Sequence, residues 1–178
     1  MTDRELLLLA ENCHFDHAGI FHTEILKFDP AVRAMCASDR CRSYGRRWTC
    51  PPGCGTLEEI AARAGGCRRG ILLQSTGMLE DDFDAETMME TERLQKERFA
   101  ACAAQMREAY PNCLPMSSGT CALCTECTYP DAPCRFPDRT FPSMEACGLL
   151  VSQVCADCGI PYYYGPGTIT YSSCILFD

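Results

Sequence analysis

Four cysteines fall within fourteen residues as Cys121-x2-Cys124-x2-Cys127-x6-Cys134. Thiolates spaced two residues apart turn inward on one tight loop and grip a single metal centre. Iron–sulfur clusters are held by a comparable run of three close cysteines and a fourth beyond. A second set lies upstream, Cys36-x4-Cys41-x8-Cys50-Pro51-Pro52-Gly53-Cys54. Pro51 and Pro52 remove two backbone donors and stiffen the chain just after a thiol. Gly45, Gly53 and Gly55 permit turns and let backbone N–H groups approach sulfur. Tyr44 and Trp48 would shield a centre here from water, which is one lever on cluster potential. Without Cys54, three thiolates would leave an iron position open to a substrate.

Zinc competes with iron–sulfur for such thiols, because a four-thiolate zinc site is also tetrahedral. Structural zinc loops usually join two separate Cys-x-x-Cys pairs, so three consecutive cysteines at x2 intervals favour a cluster. The run departs from that of bacterial ferredoxins. Six residues rather than three precede the fourth cysteine, and Arg135 follows it where proline would stand.

Sixteen cysteines in 178 residues mean either a disulfide scaffold or metal binding. The N-terminal apolar run, Leu6 to Ala10, is short and flanked by acids, unlike a secretory leader. No segment approaches the ~20 apolar residues of a membrane span. A reduced, cytoplasmic protein is therefore expected, in which clustered thiols signify metal. The formal charge of −8 disfavours nucleic acid as a partner. Arg33, Arg40, Arg42, Arg46, Arg47, Arg63, Arg68 and Arg69 gather near the first cysteine set. They read as a solvated face and counter-charge for thiolates, or as a dock for an acidic protein or small anion.

The elements that position these loops follow from periodicity. A hydrophobic content of 47% suits one compact domain over residues 1–178, with cysteine loops at 36–55 and 119–142. Residues 3–12 read as a helix capped by Thr2 or Asp3, and Ile20 to Phe28 as a strand. Asp29-Pro30 starts a helix through Met35. Thr56 caps a helix over Leu57 to Ala64, ended by Gly65-Gly66. Ile71 to Ser75 reads as a buried strand. Residues 82–110 hold no Gly or Pro and carry a stripe of Met88, Met89, Leu94, Phe99, Cys102 and Met106, expected to be core. Ser143 is expected to cap a helix to about Cys155, Gly165-Pro166-Gly167 to make a hairpin turn, and Ile169 to Phe177 to close the chain as a strand. The fold class expected is α/β or α+β, a small single sheet flanked by helices, with two cysteine-rich metal-binding loops.

Cys36-x4-Cys41-x2-Tyr44-Gly45-x2-Trp48-x-Cys50-Pro51-Pro52, followed by Cys121-x2-Cys124-x2-Cys127-Thr128-Tyr129-Pro130 and Phe141-Pro142-Ser143-Met144-Glu145-Ala146, resembles a family of small bacterial and archaeal proteins. That family is a domain of unknown function described as predicted metal-binding. The resemblance covers about residues 30–178. It implies cysteine-ligated metal in anaerobic organisms, and its pattern carries over to Cys36, Cys41, Cys50, Cys121, Cys124, Cys127 and Cys134. Ligation by Cys54 rests on the spacing alone.

Most of the remaining cysteines read as small buried hydrophobes. Cys155-x2-Cys158 has the spacing of a redox dithiol, or of half a further site with Cys147. His14, His17 and His22 lack an acidic partner motif, and no phosphate-binding glycine loop occurs. Ser117-Ser118-Gly119 carries no catalytic pattern by itself. The leading expectation is two 4Fe–4S clusters and electron transfer to a redox partner protein. One alternative is an iron–sulfur enzyme acting on a small anionic ligand near the arginine-rich first loop. The other is a structural zinc module.

Overall fold

Alternation of apolar residues along two ten-residue strands builds the centre of the molecule. The computed structural model describes residues 1–178. Strand β2 (Arg69–Met78) pairs antiparallel with β4 (Thr168–Phe177) over its whole length. Strand β1 (His17–His22) flanks β2, and the short β3 (Leu114–Met116) flanks β4, giving the antiparallel order β1-β2-β4-β3. Successive side chains on a strand point to opposite faces. Ile71, Leu73, Ile175 and Phe177 accordingly enter one core, and Leu72, Cys174 and Leu176 the other.

Helices cover both faces. Helix α1 (Asp3–Asn12) begins with a capping box, in which the Thr2 hydroxyl accepts from Glu5 N–H and the Glu5 carboxylate from Thr2 N–H. It buries Leu6, Leu9 and Ala10 against the first face beside α4 (Ala85–Ala109). The second face is covered by α3 (Leu57–Ala64), the turn at Met144–Leu149 and α5 (Val151–Asp157). Helix α2 (Pro30–Met35), capped by the Asp29 carboxylate, leads straight into the first cysteine loop. The chain is thus an α/β fold with a single antiparallel sheet between helices, as the sequence implies.

Several expectations shift. The strand expected at Ile20–Phe28 lies at His17–His22, and a helical turn at Thr23–Ile25 follows it. The sheet edge pairs His17 with Gln74 and His22 with Arg69, so register against β2 overrides the apolar run that continues past it. The helix expected from Ser143 is broken. Ser143 Oγ accepts from Ala146 N–H for one turn, Gly148 turns left-handed at φ 84°, and α5 starts only at Val151. Gly165–Gly167 leads into β4 from an irregular strap rather than from a strand, so it closes no hairpin. On α4 the buried positions are Thr91, Gln95, Phe99, Cys102, Ala103 and Met106, whereas Met89 is 65% exposed. Gln95 replaces an apolar contact by donating to Leu73 C=O and Ser173 Oγ across the sheet. No helix is long and apolar enough to cross a membrane.

Candidate metal centres

The first cysteine loop is positioned from three sides. Cys36 caps the C-terminus of α2, and a tight turn follows with Asp39 and Arg42 at positive φ. Beyond it the chain folds back, as Gly45 N–H donates to Pro51 C=O and Cys54 N–H to Cys50 C=O. Thr56 then caps α3 with a second capping box, which fixes where the loop must end. The Ser143–Gly148 turn backs the loop, with Cys54 Sγ 3.9 Å from Ala146 O. The Phe141–Ala146 motif therefore serves the first cysteine set although it follows the second in sequence.

The four thiols of this set feel one another. Burial pushes the Cys36 thiol up, and the charges of Cys41 and Glu145 push the same way against Arg33. Burial also raises Cys50, to about 11, with Cys41 and Cys54 adding to the rise while Thr49 and Arg47 oppose it. Cys54 is raised by burial, opposed by Arg33 and reinforced by Cys36. Cys36, Cys41, Cys50 and Cys54 thus close a ring of mutual repulsion, the electrostatic state of thiols waiting for a cation. Arg33 is the counter-charge at Cys36 and Cys54, and Arg47 at Cys50. One of the Arg33 amino groups donates to Gly55 C=O, and the other, Nη1, is buried without any partner. A buried donor left unsatisfied is costly, and a sulfur-rich anion beside Cys36 and Cys54 would satisfy it.

The second set gathers differently. Cys121, Cys124, Cys127 and Cys134 all line one small pocket, and all four are partly exposed. Its loop has little backbone pairing of its own. Ala132 N–H bonds to Thr128 C=O, and side chains supply the rest: Thr128 Oγ1 donates to Pro133 C=O and Arg135 to Glu126 C=O. Cys134 Sγ accepts from Phe136 N–H at 3.4 Å and lies 3.3 Å from Thr140 Oγ1. The Thr140 hydroxyl itself donates to Phe136 C=O, so the Phe136 N–H is the donor aimed at this sulfur, and such hydrogen bonds tune a bound metal.

The two sets share a wall. Arg47, Trp48 and Thr49 of the first loop line the pocket of the second set, and the adjoining Cys50 belongs to the first. Arg47 donates to Cys121 C=O at 2.7 Å, and Trp48 Nε1 to Ala132 C=O at 3.2 Å. The Trp48 ring meets Tyr129 edge to face, centroids 4.9 Å apart. A Cβ on Gly53 would stand 2.9 Å from the Tyr129 ring, so only glycine allows this approach. Trp48 therefore covers the second set rather than the first, correcting the sequence expectation. Tyr44 is 38% exposed and does little shielding.

The arginine group disperses on folding. Arg33 and Arg47 reach the thiols, but Arg68 pairs with Asp178, Arg69 with Asp3 and Arg46 with Asp39. The Cys155–Cys158 pair packs in the sheet's second core, Cys155 buried and Cys158 half-buried. Burial pushes the Cys158 thiol up to about 12 and raises Cys155, Cys147 and Cys174 as well. Cys174 belongs to β4, and Cys147, Cys155 and Cys158 pack in the same core. Sequence reasoning named Arg33 and Arg47 as counter-charge and Trp48 as a shield, but missed Glu145 and Thr49 and the contact of Arg47 and Trp48 with the second set. The only signal for them was their closeness in the chain to the cysteines or the proximal Phe141–Ala146 motif.

No three Cys, His, Asp or Glu side chains close on a common point as one metal ion would require.

A helix-flanked antiparallel sheet that displays two packed four-thiol loops defines a small cysteine-based metal-binding protein. Residues 19–177 match the family described as Predicted metal-binding protein (DUF2284), and the chain belongs to that family. No curated protein and no solved structure matches it.

Proposed function

We propose that the protein carries two 4Fe–4S clusters and passes single electrons to and from a redox partner. Cys36, Cys41, Cys50 and Cys54 would hold one, and Cys121, Cys124, Cys127 and Cys134 the other. When bound, such clusters supply reversible one-electron chemistry at potentials set by charge, hydrogen bonds to sulfur and exposure.

The shared Arg47–Cys50 wall is the observation that carries this reading. It brings two four-thiol sets side by side, the arrangement needed for electrons to pass from one centre to the next. Two further features support it. Four thiolates around a zinc ion at about 2.3 Å must lie within about 4 Å of one another, whereas cluster ligands each bind a different iron and stand further apart. No three thiols of the second set meet at a point, as zinc would need, and the pocket they line is only about 10 Å³, so its loosely tied loop would open to take a cluster. Donors suited to a sulfur-rich anion stand at both sites, unpartnered Arg33 Nη1 at one and the Phe136 N–H at the other.

Iron, zinc and acid-labile sulfide analysis of anaerobically purified protein tests the proposal. Two clusters' worth of iron and sulfide, a brown colour and a paramagnetic signal on reduction are expected. A colourless, zinc-loaded protein would establish the structural zinc reading instead.

A further inference from the structure

A cavity of about 290 Å³ opens between α4 and the start of the second cysteine loop. Its size is at the lower end for small-molecule sites, which combine an apolar wall with a few placed polar groups. Met89, Ala100, Leu123 and Phe141 form the apolar wall. This accounts for Met89, whose place in the helical stripe suggested core but whose side chain stands away from it.

The polar groups are biased in sign. Lys96 is held by Glu92 at 2.6 Å, and Arg93 by Glu97 and Glu90 at 2.6 Å each. Arg139, contributed by the cysteine loop, has neither an acidic partner nor a side-chain hydrogen bond. The only uncommitted charge in the wall is therefore positive, in a chain whose net charge is −8. Ser118 also lines the cavity; it is 7% exposed, and its hydroxyl is buried without a partner. Gly119 at φ 60° turns the chain here, and a Cβ on it would fall 2.7 Å from Glu92 Oε1, so the loop is pressed against the helix. The unpaired guanidinium of exposed Arg139 stands at the cavity's edge as a partner for a ligand oxygen, and the Ser118 hydroxyl beneath the wall is reached only if the loop yields slightly.

We propose that this cavity binds a small organic monoanion. Its carboxylate pairs with Arg139 and the Ser118 hydroxyl, and its apolar body rests on Met89, Ala100 and Phe141. The anion-binding face thus lies at the second cysteine loop and not among the arginines of the first. Cys121 and Leu123 belong to the same wall, so the occupant stands directly against the second thiol set. Binding of this kind does not depend on which metal the thiols hold.

Titration calorimetry of benzoate into metal-loaded protein tests the assignment, with benzamide as the neutral probe of equal shape. Metal analysis of the same sample reports separately on the two-cluster reading. Saturable single-site benzoate binding is expected, with benzamide weaker by at least about tenfold. Arg139→Gln, on an exposed side chain that the fold does not use, weakens benzoate by about tenfold or more. Ala100→Leu fills the cavity and removes binding of both probes. No saturable benzoate binding, equal binding of benzamide, or unchanged affinity in Arg139→Gln overturns the proposal.

Discussion

The two cysteine loops solve the same problem with opposite means. The first is built into the fold. Cys36 ends a helix, the loop stops at a capping box, and Cys50 is only 8% exposed. Burial and mutual repulsion raise Cys36, Cys50 and Cys54, opposed by Arg33 and Arg47. The second loop is an open excursion tied by side-chain hydrogen bonds, with every thiol partly exposed. Rigid scaffold sets the geometry of the first set, and the metal must set much of the geometry of the second. The first set runs from buried Cys50 to exposed Cys41, whereas the second is partly exposed throughout, and the two meet through Trp48 and its neighbours.

Removing single ligands breaks the comparison most strongly. Cys124→Ser is expected to empty only the second site, leaving about half the metal and a stably folded chain. Cys50→Ser is expected to lose more than half, because the Arg47–Cys50 strip walls both sites. Metal content and reduced-state paramagnetic spectra of the two variants measure this, and equal losses would mean that the loops are independent. Trp48→Ala comes next. It deletes a half-buried ring, its contact with Tyr129 and its bond to Ala132 C=O. A loss of about 2 kcal/mol in urea unfolding is expected, with the second centre bleached by air faster than the first.

The pH response distinguishes the loops further. The folded Cys50 thiol titrates at about 11 and Cys158 at about 12, against an ordinary 9.0 in the unfolded chain. Between these values the unfolded chain binds fewer protons, so the stability these two thiols contribute in the metal-free protein is fully present below pH 9 and falls as pH rises towards 11 to 12. Metal loading runs the other way at lower pH, tightening from pH 6 to 9 because thiols release protons to bind. Urea midpoints across pH, with and without metal, display both trends. The smallest effect is expected from Arg33→Met. Loss of the positive charge beside Cys36 and Cys54 lowers the first centre's potential by about 50 mV, equivalent to about 1 kcal/mol for one electron. Redox titration that moves the second centre equally would deny Arg33 its local role.

Legibility in the sequence followed how local each cause was. The α1 and α3 boundaries were readable because capping boxes at Thr2 and Thr56 act within three residues. Strand β4 was readable because its alternation continues over ten residues. Strand β3 was missed: three residues with a central proline carry no period, and only pairing of Leu114 with Leu176 makes them a strand. The upstream half of the α4 stripe was misjudged because an apolar residue at helical spacing does not reveal what it faces. Ser117-Ser118-Gly119 said nothing until Glu92 and Arg139 were found beside it.

Composition and spacing alone determined that thiolate chemistry dominates this chain and that it concentrates in two loops. Ligand spacing on a short loop is a local property, written in consecutive residues. Folding alone decided that the loops touch, that Trp48 faces the second set, and that Arg33 and the Ser143–Gly148 turn serve the first. These contacts join residues up to 92 positions apart, as between Cys54 and Ala146. Only the packing of the helices and the Ser143–Gly148 turn on the sheet brings such distant segments together.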